Sequence, residues 1–373
     1  MDSVPKYQQL SQTLERQIAA GQWTEGRAPT VRGIAEEHDV SIVTAARALQ
    51  VLRDKGLIRT VERSGNFIVA PSQRLGERWL LCLRITPGPL REQTAAVTTT
   101  GFEKTARRHG VVFDTTTIAG DGSLGDEELR TRLAEARVRG LCGLFLLPWR
   151  LDEAGARFDE RLLCACKAAA LPVVLIERNL RGAGRALEYD LVASDDLAGG
   201  RECTRHLLDQ GRRRIIFITG SPVSSHDDRV AGYLREMHRD GLPATVIEQP
   251  ADLTPQAAYT RLAEQVRASG ADAVICYQDY TAVGLMMELL RLGIAVPDAV
   301  ALVGFDDLPL GSMFTPGVTT YRLPAEEMAE EALRRMRERL RDPALPPCRL
   351  VVPGKLIVRG SSSCSAPAGE QAE

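Results

Sequence analysis

Histidine is scarce in this chain, with five in 373 residues and none in a suggestive pair. A G-x-S-x-G elbow is missing as well, so Ser–His hydrolytic chemistry has little support and no catalytic residue is expected. Eight cysteines include the C-x-C pair Cys164 and Cys166, but no C-x-x-C pair and no Cys/His cluster. A metal site is therefore not expected. Cys82, Cys142 and Cys276 lie inside apolar runs and read as small buried hydrophobes in a reducing compartment. No apolar run approaches the ~20 residues that cross a bilayer, so no membrane partner is expected. The opening MDSVPKYQQL lacks the apolar core of a signal peptide, which predicts a cytoplasmic location and argues against an exported transport receptor.

A large charge of either sign is also lacking: the net charge is -2. Its distribution is uneven. Residues 1–70 hold nine Lys/Arg against eight Asp/Glu. Within them, Arg47, Arg53, Lys55, Arg59 and Arg63 face only Asp54 and Glu62 over residues 43–63. A modest basic patch, doubled in a dimer, is adequate for DNA and predicts little non-specific affinity.

What is present is a strong local pattern. Residues 29–69, PTVRGIAEEHDVSIVTAARALQVLRDKGLIRTVERSGNFIV, predict short helices, a tight turn, a longer helix and a hairpin, the order of a winged helix-turn-helix. Ser41 stands where an N-cap is needed. From there, Ala45, Ala48, Leu49 and Leu52 share one helical face, with Val43, Thr44, Arg47 and Gln50 opposite. The second set suits DNA: Thr44 a phosphate, Arg47 a guanine, Gln50 an adenine, Val43 a thymine methyl. Gly65 supplies a positive φ at the hairpin tip, where Arg63 and Asn66 are expected to ride, with Lys55 and Arg59 near its entry.

The first seventy residues resemble the DNA-binding domain of GntR-type regulators. PKYQQLSQTLERQIAAGQW is similar to that family's opening helix, and DKGLIRTVERSGNFIV to its wing. The resemblance puts Arg32 at a DNA-contacting position. Ile42 and Ala46 stand where the family commonly has arginines, while VSIVTAARAL is closer to the lactose-repressor pattern at Thr44, Arg47 and Leu49.

Residues 71–78 read as a linker. From Trp79 the runs WLLCLRI, VVFDTTTI, GLCGLFLLP, LPVVLIE, RIIFITG, AVICY and VALVGF alternate with segments of helical length. This predicts an α/β class, with parallel sheets covered on both faces and divided into two doubly wound lobes. Residues 361–373, small and polar, are expected to be a disordered tail. Ligands of open parallel sheets bind beyond the carboxyl ends of strands. Trp149, Glu177, Arg178, Arg229, Gln278, Asp279, Asp306 and Asp307 all follow such ends. Carboxylates, arginines and an aromatic ring around one cleft suit a polyhydroxylated ligand.

Residues 79–360 resemble the effector domain of the LacI/GalR family, through LPVVLIERN, DLVASDDLAGGRECTRHLLDQGRRRIIFITG, DDRVAGYLREM and GIAVPDAVALVGFDDLPLGSMFTPGVTTYR. The resemblance implies effector contacts at Arg229, Asp306, Gln278 (where the family usually has asparagine) and Glu177, and a homodimer. It also implies three chain crossings between lobes, near 190–194, 311–318 and 342–350. A winged reader joined to this clamp resembles arabinose-type repressors. The expectation is a DNA-binding transcriptional regulator, repressing an operator under control of a small molecule such as a sugar, with no cofactor.

Overall fold

The computed structural model describes residues 5–19, 23, 28–54, 57–61, 65–68, 77–84, 91–118, 122–182 and 184–363. Helices α1 (Lys6–Ala19), α2 (Val31–Glu37) and α3 (Ile42–Asp54) precede the hairpin strands β1 (Ile58–Val61) and β2 (Gly65–Ile68). Thr30 starts α2 by accepting from Gly33 N at 3.1 Å, and Ser41 Oγ accepts from Thr44 N at 3.1 Å at the head of α3. Between them Asp39 takes φ 47°, which turns the chain sharply. Ala45, Ala48, Leu49 and Leu52 are buried, packing with Leu10, Leu14 and Ile34. The expected helix-turn-helix core is therefore present.

The first lobe comprises β3 (Arg78–Leu83), α4 (Arg91–His109), β4 (Val112–Asp114), α5 (Asp126–Val138), β5 (Leu141–Leu147), α6 (Glu153–Ala168), β6 (Val173–Ile176) and β7 (Asp190–Ser194). The second comprises α7 (Asp196–Asp209), β8 (Ile215–Thr219), α8 (Ser224–Arg239), β9 (Thr245–Glu248), α9 (Pro255–Ser269), β10 (Ala273–Cys276), α10 (Asp279–Arg291), β11 (Ala301–Phe305), α11 (Pro309–Ser312) and β12 (Thr319–Arg322). Helix α12 (Ala325–Arg341) and β13 (Arg349–Val352) return to the first lobe, and β14 (Lys355–Ile357) completes the second.

The first sheet runs β13-β7-β6-β5-β3-β4, with every pairing parallel. The second runs β14-β12-β11-β10-β8-β9, parallel except for the edge strand β14. Each sheet carries a core on both faces. In the first lobe, α5 and α6 cover one face, while α4 and α12 cover the other. In the second, α9 and α10 lie opposite α7 and α8. Cys82, Cys142 and Cys276 are buried in strands, as their apolar neighbours predicted.

Helices α7 and α8 meet backbone to backbone. A Cβ on Gly200 would lie 2.1 Å from Arg229 O, and one on Gly232 2.3 Å from Leu197 O. Only glycine allows this approach.

Four sequence expectations need correction. The linker ends before residue 77: Arg78 begins β3, and Glu77 accepts at Oε2 from Arg337 Nη2 at 2.8 Å. The first crossing follows Ser194, near the expected place, but the other two lie between Arg322 and Ala325 and between Val352 and Lys355. Residues 311–318 and 342–350 instead lead into β12 and β13. The tail begins later than residue 361, because Ser361 and Ser362 are fully buried. Ser361 Oγ donates to Leu302 O at 2.6 Å, and Ser362 Oγ lies 2.7 Å from His206 Nε2. Finally, Asn66 sits within β2 opposite Thr60, not on the hairpin tip. Lys55, Arg63, the linker residues 71–76 and residues 364–373 lie outside the described residues.

Candidate functional site

The reading face of α3 is open. Val43 is 68% exposed and Ile42 56%, with Arg47 and Gln50 also outward. The Arg47 guanidinium lies 5.7 Å from the Tyr7 ring centroid, which ties the reading helix to α1. Thr44 is half-buried, its hydroxyl 2.8 Å from Ser41 Oγ. Arg32 is exposed on α2, and Arg59 on β1. Gly65 has φ 98° where β2 begins. Asn66 Oδ1 accepts from Thr60 Oγ1 at 2.8 Å, and Asn66 O from Ala28 N at 2.9 Å. The first bond ties the two wing strands together, and the second braces the wing against the segment before α2.

The second candidate site follows from topology. In the first sheet the strand order reverses between β3 and β5, and in the second between β8 and β10. The carboxyl ends at such points open a crevice. Side chains bridge the two lobes there: Asn179 N donates to Ser224 Oγ at 3.0 Å, and Arg150 Nη2 to Gln278 Oε1 at 3.4 Å.

Arg229 is the hub. Its Nε donates to Asp196 Oδ1 at 2.7 Å, its Nη1 to Tyr277 O at 2.5 Å, and its Nη2 to Asp306 Oδ1 at 3.2 Å. The guanidinium also stands 4.4 Å from the Phe305 ring centroid. Burial works against its charge, but Asp196 and Asp306 outweigh that and hold its pKa above the ordinary arginine value. Burial raises both acids despite Arg229, Asp196 to about 6.

Glu177 and Asp306 occupy left-handed backbone, at φ 66° and 95°. For residues with side chains this costs energy and persists only where the surroundings impose it. Glu177 is held by Thr98 Oγ1 at 2.7 Å and Arg178 Nη2 at 3.0 Å. The turn after Asp306 is held by buried Asp279, whose Oδ2 accepts from Leu308 N at 2.7 Å. Burial, with the neighbouring Asp306 charge, raises the Asp279 pKa well above the usual carboxyl range. Asp307 turns away to Arg322 and Arg359, each at 2.6 Å.

The structure thus gathers Glu177, Arg229, Gln278 and Asp306 around one cleft. Trp149 packs inside the first lobe, its indole against Gly155 and 5.0 Å from the Arg84 guanidinium. Its neighbour Arg150 is the side chain that reaches across. Sequence reading missed Arg150, His226 and Tyr277. The Tyr277 ring centroid lies 4.6 Å from that of buried His226, whose Nδ1 is 2.9 Å from Ser221 O. Burial, then Arg150, Arg229 and Arg178, push His226 well below its usual pKa, so the ring is neutral. The available signal was the position directly after β10 for Tyr277, and the loop after β5, next to Trp149, for Arg150; His226 had none.

Residues 204–362 match the periplasmic binding protein-like domain family, and residues 6–68 match the gntR family of bacterial regulatory proteins. The arabinose metabolism transcriptional repressor of Geobacillus stearothermophilus is 26% identical over 340 residues, covering 88% of this chain and 90% of that one. HTH-type transcriptional regulator MalR of Streptomyces coelicolor is 30% identical over 258 residues, covering 66% of this chain and 70% of that one. The solved complex of transcriptional regulator CelR with cellobiose shares the fold, with a TM-score of 0.61 at 21% identity over 90% of this chain and 100% of that chain.

Proposed function

This chain belongs to the LacI/GalR family of transcriptional regulators and carries a GntR-type DNA-binding domain at its front, and on that premise we propose that it is a sugar-controlled repressor acting as a homodimer. Members of such a family regulate transcription and are not enzymes. Arg47 reads a base, Arg32 and Thr44 contact phosphate, and Val43 and Gln50 extend the reading face. Ser41 caps the helix that carries them. The observation that carries effector control is the Arg229 hub: a buried guanidinium with two acids and a carbonyl, at the switch point of one lobe and facing the other lobe. Such a group offers donors and acceptors at once, which is what sugar hydroxyls require. Glu177 supplies the facing acceptor from the first lobe, and Gln278 an amide.

Free energy from ligand contacts to both lobes favours one lobe arrangement over others. In a dimer the lobe arrangement sets the spacing of two reading heads, and that spacing decides whether both half-sites are engaged together. The names of the relatives support a sugar as the controlling molecule. Selection of duplexes from a random pool by the full chain tests the reading directly. An inverted repeat should emerge, and a sugar that raises the melting temperature should change its affinity. A protein that selects no sequence sinks the proposal.

A further inference from the structure

Beside the Arg229 hub, a chamber of about 500 Å³ opens between the lobes. Arg150 and Arg181 of the first lobe face Ser221, Gln249, Tyr277 and Gln278 of the second across it. Tyr277 links the hub to the chamber: its carbonyl accepts from Arg229, and the residue forms part of the chamber wall. A ligand held at Arg229 and Asp306 therefore has somewhere to extend.

The charges along this path are unevenly matched. Arg229 is paired with Asp196 and Asp306, and Arg178 with Glu177 at 3.0 Å. Among the described residues Arg150 forms no close ion pair: it contacts the Gln278 amide at 3.4 Å and lies 6.0 Å from the Tyr277 ring centroid, while the Asp306 carboxylate feels its charge only from a distance. Arg181 is paired at 3.2 Å with Glu153, whose side chain is 71% exposed. An ion pair so exposed is weak and readily exchanged. Of the acids lining the chamber, Asp152 accepts from Gly155 N at 2.8 Å as the cap of α6, and Glu248 is exposed. Two guanidiniums thus line a partly enclosed space, and among the described residues neither makes a close ion pair with a buried carboxylate.

Resting on the effector reading above, we infer that the controlling ligand is an anionic sugar. Its ring meets Arg229, Asp306 and Glu177, while its phosphate or carboxylate enters the chamber to meet Arg150 and Arg181. Guanidinium groups bind such anions through parallel N–H donors, and a partly enclosed site screens the attraction less than open water does. Neutral sugars leave Arg150 without a close charge partner and bind more weakly.

The test uses the full chain and four sets of probes: neutral monosaccharides, neutral disaccharides, sugar phosphates, and uronic or aldonic acids. Calorimetric titration should find binding among the anionic sets, tighter than for the matching neutral sugar and weakened by added salt. Arg150→Gln should lose about 10–100-fold for the anionic ligand while changing the neutral one little, and Arg150→Lys should recover part of the loss. Comparison of the phosphate and carboxylate sets identifies which anion is favoured. If a neutral sugar binds as tightly as its anionic counterpart and alters DNA affinity, the inference is overturned while the regulator reading stands. If no member of the four sets binds or alters DNA affinity, both fall.

Discussion

Arg229 and Asp306 meet at 3.2 Å although they belong to different elements, one in α8 and the other after β11. Each is the other's partner before any ligand arrives. A hydroxyl entering between them exchanges one good contact for two. Replacing Asp306 by Ala leaves a buried guanidinium with less compensation, and should cost about 2–5 kcal/mol of effector binding. Arg229→Ala should do the same with greater loss of lobe stability, since Asp196 also loses its partner. Both variants are expected to hold operator without releasing it. Operator affinity measured with and without effector checks this, and a wild-type dose response would assign both residues to structure alone.

The reading face gives a second expectation. Arg47→Ala should cost about 1–3 kcal/mol at the preferred operator and relax preference at one base pair. Arg32→Ala should weaken all sequences alike and flatten the salt dependence. Binding isotherms on single-base operator variants at two salt concentrations separate the two behaviours. Unchanged discrimination in Arg47→Ala would falsify the assignment.

His226 predicts a pH dependence. Its folded pKa is depressed by burial and by three arginines, so the unfolded chain binds the proton first as pH falls. Its contribution to stability is therefore present above the ordinary histidine range, near pH 6.5, and is lost as pH falls towards the depressed value. Denaturant titrations at pH 8 and pH 5.5 should show wild type losing more stability on acidification than His226→Gln. Equal losses would show that the ring titrates normally.

Ser361 predicts a stability effect far from either site. Its hydroxyl donates to Leu302 O at 2.6 Å and accepts from Thr319 N at 2.9 Å. Ser361→Ala leaves two buried backbone groups short of a partner, and should cost about 1–3 kcal/mol. Thermal unfolding of this variant beside Ser363→Ala, whose hydroxyl makes one local bond, provides the comparison.

Gly200→Ala should destabilise the second lobe by about 1–3 kcal/mol or more, because the added methyl meets the Arg229 carbonyl on α8. The same shift should move Arg229 away from Asp196, so effector binding should weaken together with the melting temperature. A variant with a lowered melting temperature but unaltered effector binding would show that the helix contact does not position the guanidinium.

The two faces of α3 were legible because burial there follows a 3.6-residue repeat: Ala45, Ala48, Leu49 and Leu52 are enclosed while Val43 is not. Strands β3, β5, β6, β8, β10 and β11 were legible as apolar runs because both faces of a central parallel strand are covered. β9, β13 and β14 gave no such run. They are edge strands with exposed positions, Thr245, Val246 and Glu248 among them, so their hydrophobic pattern is broken. Missing β12 and β13 displaced two of the crossings. In the site, Glu177, Arg229, Gln278 and Asp306 could be named from strand ends and resemblance. The role of Asp279 as a buried brace could not, because it depends on Gly304 and Leu308 closing over it. Asn66 was misplaced because Gly65 was read as inside the turn, whereas it opens the returning strand.

The three passages of chain between the lobes make the clamp topologically indivisible. The first lobe needs α12 and β13 from far along the chain, and the second needs β14 from farther still. Neither can be obtained as one uninterrupted stretch of polypeptide, and a single proteolytic cut at any passage leaves two others joining the halves. Hinge motion here is a bend of three neighbouring strings, which resists twisting more than a lone tether does. A nicked clamp should therefore still close on its ligand.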